Sequence, residues 1–246
     1  MCGRYGRRSD KQRITEWMQI HHADVFDDSY LNPDYNVAPQ TIQPVVLLDR
    51  DTGRRRVAGM RWGLIPYWSR DTRAAFSNIN ARAETVATNS SFREAMKRRR
   101  CLVPADLFYE WQKTGAKTKQ PFAVGMKDGS IFAFAGLWET WRDEKTGMLL
   151  ETYTIITTDP NELIKPEAGP SLHDRMPVIL DSRDYDRWLE PGDPDRLPVD
   201  LLRPYDAEKM RAWKVGARVG NVKNNDPDLC AEVNPENETL RLFPDM

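Results

Sequence analysis

Residues 121–158 read PFAVGMKDGSIFAFAGLWETWRDEKTGMLLETYTIITT. Three apolar runs, rich in β-branched and aromatic residues, are separated by two turn signals. Pro121–Met126, Ile131–Thr140 and Leu149–Thr158 read as strands. Lys127-Asp128-Gly129-Ser130 carries the Asp-Gly hairpin signal, and a second hairpin falls at Lys145-Thr146-Gly147. Strands joined by tight turns pair antiparallel, so this stretch predicts a meander rather than a βαβ fold. Working outward, residues 101–112 (CLVPADLFYEWQ), Pro44–Asp49, Arg55–Gly63 and Pro177–Leu180 read as further strands. Ser9 or Asp10 can cap a helix reaching about His22, with Ile14, Trp17 and Met18 inward. Ser91–Arg100 reads as a helix facing in with Phe92, Ala95 and Met96, and short helical pieces fall near 183–189 and 206–210. Residues 1–8 (MCGRYGRR) form a loop or a short strand. The expectation is one α+β domain over residues 1–225, a curved and mostly antiparallel sheet or barrel with peripheral helices. A polar, loosely ordered tail follows over 226–246.

Composition narrows the function. The 246 residues carry 36 basic and 37 acidic side chains, a formal net charge of −1. That excludes a globally basic nucleic-acid binder but leaves room for a local basic groove. Three cysteines (Cys2, Cys101, Cys230) in no regular spacing make no disulfide framework. Three histidines and no CxxC pair argue against a metal site, and nothing calls for a cofactor. No apolar run approaches the roughly 20 residues of a membrane span. A soluble, cytoplasmic monomer is expected.

Cys2 directly follows Met1. If Met1 is removed, an α-amine and a thiol share one short skeleton, with free pKa values of roughly 7.7–8.0 and about 8.5. Such an aminothiol can add to an aldehyde as a Schiff base and close to a thiazolidine, or act as an N-terminal nucleophile on an acyl group. Alternatively, Cys2 is an ordinary second residue. Asn80 and Arg82, in Asn80-Ala81-Arg82-Ala83-Glu84, offer an amide and a planar fork, or merely a turn with a surface ion pair. In Phe108-Tyr109-Glu110-Trp111, Glu110 either faces solvent or lines a cleft, where desolvation raises its pKa toward general acid–base use. Trp111 could stack on a base. His173 is either a proton shuttle or a surface residue beside Asp174-Arg175. Of the basic residues, Arg4 and Arg82 sit beside candidate site residues; the tracts at Arg54–Arg56 and Lys97–Arg100 read as solvated faces.

Together these pieces resemble one family. Cys2-Gly3-Arg4-Tyr5, Tyr35-Asn36-Val37-Ala38-Pro39, Trp62-Gly63-Leu64-Ile65-Pro66, Asn80–Glu84, Phe108–Trp111, His173-Asp174-Arg175-Met176-Pro177 and Gly220-Asn221-Val222-Lys223 occur in the order of the SOS response-associated peptidase (SRAP) family. Each motif alone is weak; seven in order are specific. The resemblance implies a barrel-like core, removal of Met1, and a covalent thiazolidine between Cys2 and the ring-opened aldehyde of an abasic site in single-stranded DNA, shielding it at the nucleoid. It implies that Asn80 holds the amine, Glu110 acts as general acid–base, and His173 assists ring opening and reversal. Arg4, Asn36, Arg82, Trp111 and Arg175 would contact DNA, and Pro39 would pack near the abasic nucleotide. Two features depart from the pattern: Leu107 where many members have Gly, and a long segment Ile164–Leu172 before His173. A peptidase using the same Cys2, and a non-catalytic binder of single strands, are the competing readings.

Overall fold

A computed structural model describes residues 2–20, 28–193 and 196–233. The elements run β1 (Tyr5–Arg7), α1 (Lys11–Trp17), β2 (Asp34–Val37), β3 (Ile42–Leu48), β4 (Arg55–Trp62), α2 (Ala74–Ser77), β5 (Asn80–Arg82), α3 (Arg93–Arg98), β6 (Arg100–Ala105), β7 (Leu107–Lys113), β8 (Lys119–Met126), β9 (Phe132–Arg142), β10 (Leu149–Thr158), β11 (Met176–Pro177), β12 (Ile179–Leu180), α4 (Tyr185–Leu189) and β13 (Met210–Lys214). Strands β10, β4, β3, β6 and β9 hydrogen-bond in that order, and β9 pairs back onto β10, closing a five-stranded barrel. Its pairings are antiparallel except β10 with β4, which is parallel. A second sheet, ordered β13-β8-β7-β1-β2, lies against it. The α+β barrel expectation holds.

Alternation along the barrel strands produces two cores. Val45, Trp62, Val103, Phe134 and Ile155 cluster with Tyr5, Phe108 and Val124 of the second sheet. Val46, Val57, Leu102, Ala135 and Ile156 cluster instead with Ile14, Met96 and Trp188 of the helices. Tyr5 joins the two sheets. Its ring lies 5.4 Å from Trp62 and 5.7 Å from Phe134, and its hydroxyl meets that of Tyr153 at 3.0 Å. Each ring pair adds about 0.5–1.5 kcal/mol beyond burial.

The structure corrects four expectations. The run 101–112 is two strands in different sheets. Asp106 breaks it, because its carboxylate accepts from the Arg8 and Ser9 amides at 2.7 and 2.9 Å and from Ser9 Oγ at 2.6 Å. The turn at Lys127–Ser130 forms, with Gly129 at φ 71°, but it is not a hairpin. β8 pairs with β7 and β13, whereas β9 pairs within the barrel, so the turn hands the chain from one sheet to the other. By contrast, the turn at Lys145–Gly147 is a hairpin, with Leu149 opposite Arg142. Helix α1 stops at Trp17. Gln19, at φ 54°, lets the Ile20 amide reach the Thr15 carbonyl at 2.9 Å, a Schellman closure. His21 and His22 lie outside the described residues. Finally, Pro227–Cys230 forms a 3₁₀ turn burying Leu229 and Cys230 against Tyr109 and Trp213, where a polar tail is expected. Residues 234–246 lie outside the described residues.

Candidate functional site

The site begins with β1, which is inserted between β2 and β7. Tyr5 faces Phe108, and the Tyr109 amide donates to the Arg4 carbonyl at 3.0 Å. This antiparallel register carries Gly3 and Cys2 alongside Glu110 and Trp111. Leu107 stands opposite Gly6; its Cδ1 is 3.0 Å from where a Cβ on Gly6 would sit, so Gly6 makes room for it and the pairing continues. Cys2 is fully buried in the barrel-facing cluster. Burial, and then the charge of Glu110, push its thiol pKa up, so the resting thiol is neutral.

Glu110 shares the barrel-facing side of β7 with Phe108, while Tyr109 packs into the outer cluster with Trp213 and Cys230. The strand is therefore buried on both faces, and Glu110 is 3% exposed. Burial raises its pKa from 4.5 to about 8. Its Oε1 has no hydrogen-bond partner. The buried Asn80 is similar: Nδ2 donates to the Ile155 carbonyl at 3.4 Å, while Oδ1 is unpartnered. Asn80 is held by parallel pairing of β5 with β10, opposite Ile155. Ile155 lies in the cluster enclosing Cys2, and Ile79 packs against it. Two buried acceptors without donors thus belong to strands that wall the cluster enclosing Cys2. Each would cost roughly 1–3 kcal/mol if left unsatisfied, so the arrangement suits a small cationic donor.

His173 faces Glu110 across a cleft of about 410 Å³, lined also by Trp111, Lys113, Lys119, Ser171 and Asp174. The long segment before it closes on itself: the Leu172 amide donates to the Ile164 carbonyl at 2.8 Å, and Lys165 pairs with Asp174 at 2.9 Å. His173 Nδ1 accepts from the Arg175 amide at 3.0 Å, which leaves Nε2 to carry the proton in the neutral ring. Partial burial lowers its pKa below the usual 6.5.

The residues expected to meet DNA divide into two groups. Arg82 is exposed and Pro39 half-buried. Trp111 is half-buried, with the Arg4 guanidinium 5.8 Å from its ring centre. Arg4 also donates to Asn36 Oδ1 and the Val219 carbonyl, both at 2.8 Å. Asn36 is 4% exposed, and its amide donates to the carbonyls of Asn221 and Asn224 at 3.0 and 2.8 Å. It ties down the Gly220–Lys223 motif rather than facing solvent. Arg175 is likewise engaged: it grips the Glu84 carboxylate through both oxygens at 2.8 and 3.0 Å and the Thr157 carbonyl at 2.6 Å.

Sequence reasoning missed the aromatic shelf between Gly63 and Asn80. Tyr67, Trp68 and Phe76 are all more than half exposed, Phe76 at 68%. The segment's ends are pinned by the Leu64 amide on the Asn78 carbonyl at 3.1 Å. The signal was available: three aromatics in a polar, Arg-rich stretch after Pro66 match neither strand nor helix periodicity. Lys113 and Lys119 were also missed. Among the described residues, no three His, Cys, Asp or Glu side chains gather as a metal site needs, and no helix is long and apolar enough to cross a membrane.

The architecture is that of a five-stranded barrel with a second sheet that inserts the first strand between β2 and β7. A family model described as SOS response associated peptidase (SRAP) matches residues 1–222, and the chain belongs to that family. It is 43% identical over 231 residues to the abasic site processing protein YoqW of Bacillus subtilis, covering 93% of this chain and 98% of the relative. It is 31% identical over 259 residues to the abasic site processing protein HMCES of Gallus gallus, covering 93% and 72%. A crystal structure of a protein from Bacteroides thetaiotaomicron superposes with a TM-score of 0.82 at 31% identity, over 95% of this chain and all of that one.

Proposed function

We propose that this protein recognises abasic sites in single-stranded DNA and shields them by a reversible covalent crosslink to Cys2 after Met1 is removed. Met1 itself lies outside the described residues. The observation that carries the reading is a pair of unpartnered buried acceptors: Glu110 Oε1, whose charge acts on Cys2, and Asn80 Oδ1, on a strand that walls the same cluster. The ammonium of a freed Cys2 supplies the donors they lack. The relatives' name, abasic site processing protein, supports the substrate.

Atoms balance as follows. The ring-opened sugar presents an aldehyde. The Cys2 amine adds to its carbon, and loss of one water leaves a C=N bond. The thiol then adds across that bond, sulfur to carbon and its proton to nitrogen, giving a thiazolidine. Glu110, protonated at neutral pH, donates to the departing oxygen. His173 passes protons at the sugar during opening and reversal. Asn80 orients the amine. Arg82 takes a phosphate, Pro39 packs near the abasic nucleotide, and Trp111 with the Tyr67–Trp68–Phe76 shelf stacks neighbouring bases. Arg4, Asn36 and Arg175 position these groups: Arg4 steadies Trp111, Asn36 the 219–224 loop, and Arg175 the His173 loop. The protein acts as a monomer at the nucleoid, with no metal or cofactor.

Self-removal of Met1 is the second reading, favoured by the peptidase name and by the charge that Glu110 places on Cys2. The test is intact mass with and without a single-stranded oligonucleotide carrying one abasic site. The expected product is the sum of protein lacking Met1 and DNA, less one water, and Cys2→Ala or an added residue before Cys2 should abolish it. An adduct that survives Cys2→Ala would overturn the reading. Loss of Met1 with no adduct would leave the peptidase, and equal, purely reversible binding of intact and abasic strands would leave a simple binder.

A further inference from the structure

The cleft holding Glu110 and His173 ends in an unfavourable arrangement. Lys113 and Lys119 are direct register partners at the last pair of the β7–β8 hairpin, and both line the cleft. Directly opposed residues of an antiparallel pair point to the same face with Cβ atoms about 4.5–5.5 Å apart, where like charges repel. Both side chains are exposed. Asp174, the acid lining the same cleft, feels Lys113 but is already paired with Lys165 at 2.9 Å. Three lysines against one paired aspartate leave a positive excess beside a buried carboxyl that is mostly neutral at pH 7. The hairpin loop beyond is closed by its own Thr114–Thr118 bonds, at 3.1 Å, and brings no acid to the pair.

Resting on the reading above, we infer that Lys113 and Lys119 form a phosphate fork. The fork holds the backbone of the bound strand where it leaves the reacting nucleotide toward the hairpin tip. Arg82 and the aromatic shelf lie on other elements, β5 and the Gly63–Asn80 segment. The strand is therefore gripped through two sets of elements, by stacking and Arg82 at one and by the lysine pair at the other. A phosphate between the two ammonium groups removes the repulsion that the register imposes.

The experiment measures binding of a single-stranded oligonucleotide with a non-reactive tetrahydrofuran abasic analogue across salt concentrations, and crosslinking of a true abasic strand at saturating DNA. For the Lys113→Ala/Lys119→Ala double variant, the slope of log K against log salt should become shallower by about 0.7, the value for the one phosphate the fork holds on a single strand. Crosslinking at saturation should stay within about twofold, and the thermal midpoint should not fall. Lys113→Arg/Lys119→Arg should keep the slope. Lys145→Ala, in the β9–β10 turn, controls for net charge and should change nothing. An unchanged slope, or an equal change in Lys145→Ala, overturns the fork. So does a loss of crosslinking at saturation with binding intact, since the lysines would then serve the chemistry. If wild-type protein binds but never crosslinks, the covalent reading fails while the slope still decides the fork.

Discussion

Glu110 stores a cost that its removal should reveal. The unfolded chain ionises this carboxyl near 4.5, whereas the folded chain keeps its proton until about pH 8. Between those values the native state binds more protons than the unfolded state, so stability falls as pH rises and levels off above about 8. At pH 7 the loss is on the order of 3 kcal/mol. Glu110→Gln should therefore be more stable than wild type at pH 7, with a flatter stability profile from pH 5 to 8 in urea titrations. The same variant should crosslink much more slowly. In wild type, the amine must lose a proton while Glu110 keeps its own, so the rate should peak near pH 8 and fall above it; Glu110→Gln should lose the falling limb. Equal rates for variant and wild type would remove Glu110 from the chemistry. The residue identities were legible in the sequence, but its decisive property was not. Whether Glu110 faced water or a cleft could not be read from Phe108–Trp111. That depends on β1, whose three residues carry no periodic signal and are recruited from 100 positions away.

At the scale of elements, two short features direct the chain between sheets. Asp106 turns the chain from barrel to second sheet by holding three donors of Arg8 and Ser9. Asp106→Ala should cost about 2–4 kcal/mol, read as a lower denaturation midpoint, because buried donors lose a charged acceptor. Gly63 ends β4 at φ 126°, and a Cβ there would lie 2.3 Å from the Ala75 carbonyl. Gly63→Ala should lower stability by at least about 2 kcal/mol and displace the aromatic shelf, weakening strand binding. A Gly63→Ala protein with wild-type midpoint and affinity would show that the shelf does not depend on this turn. The barrel strands β3, β4, β9 and β10 were legible because each contains a run of apolar, β-branched or aromatic residues within seven or more residues of strand. Turn chemistry was legible too, but not its destination. An Asp-Gly turn reverses the chain whether or not the next strand pairs with the last, and partner choice is a tertiary matter. Strands β1, β2 and β5, of three or four residues, sit below the length at which a period of two can be seen.

Across the whole molecule, a formal net charge of −1 leaves no general attraction for a polyanion, so the proposed strand binding has to rest on local basic groups such as Lys113, Lys119 and Arg82. The final turn matters to it as well. Tyr109 OH lies 3.1 Å from Cys230 Sγ and 2.8 Å from the Tyr35 carbonyl, so Pro227–Cys230 seals the back of the strand that carries Glu110. Replacing Leu229 and Cys230 by Ser should open the cover over Tyr109 and Trp213, lower the thermal midpoint by several degrees and slow crosslinking. The insertion of β1 has a further consequence, in time. Arg4 is made 215 residues ahead of its partner Val219. At roughly 5–20 residues per second, tens of seconds separate the two. On the crosslinking reading proposed above, β1 can meet β7 and Glu110 only once residue 113 is made, and Arg4 can be tied down only once Val219 is made. The segment that would present Cys2 thus waits on two later parts of its own chain, and a nascent protein would not yet capture an abasic site.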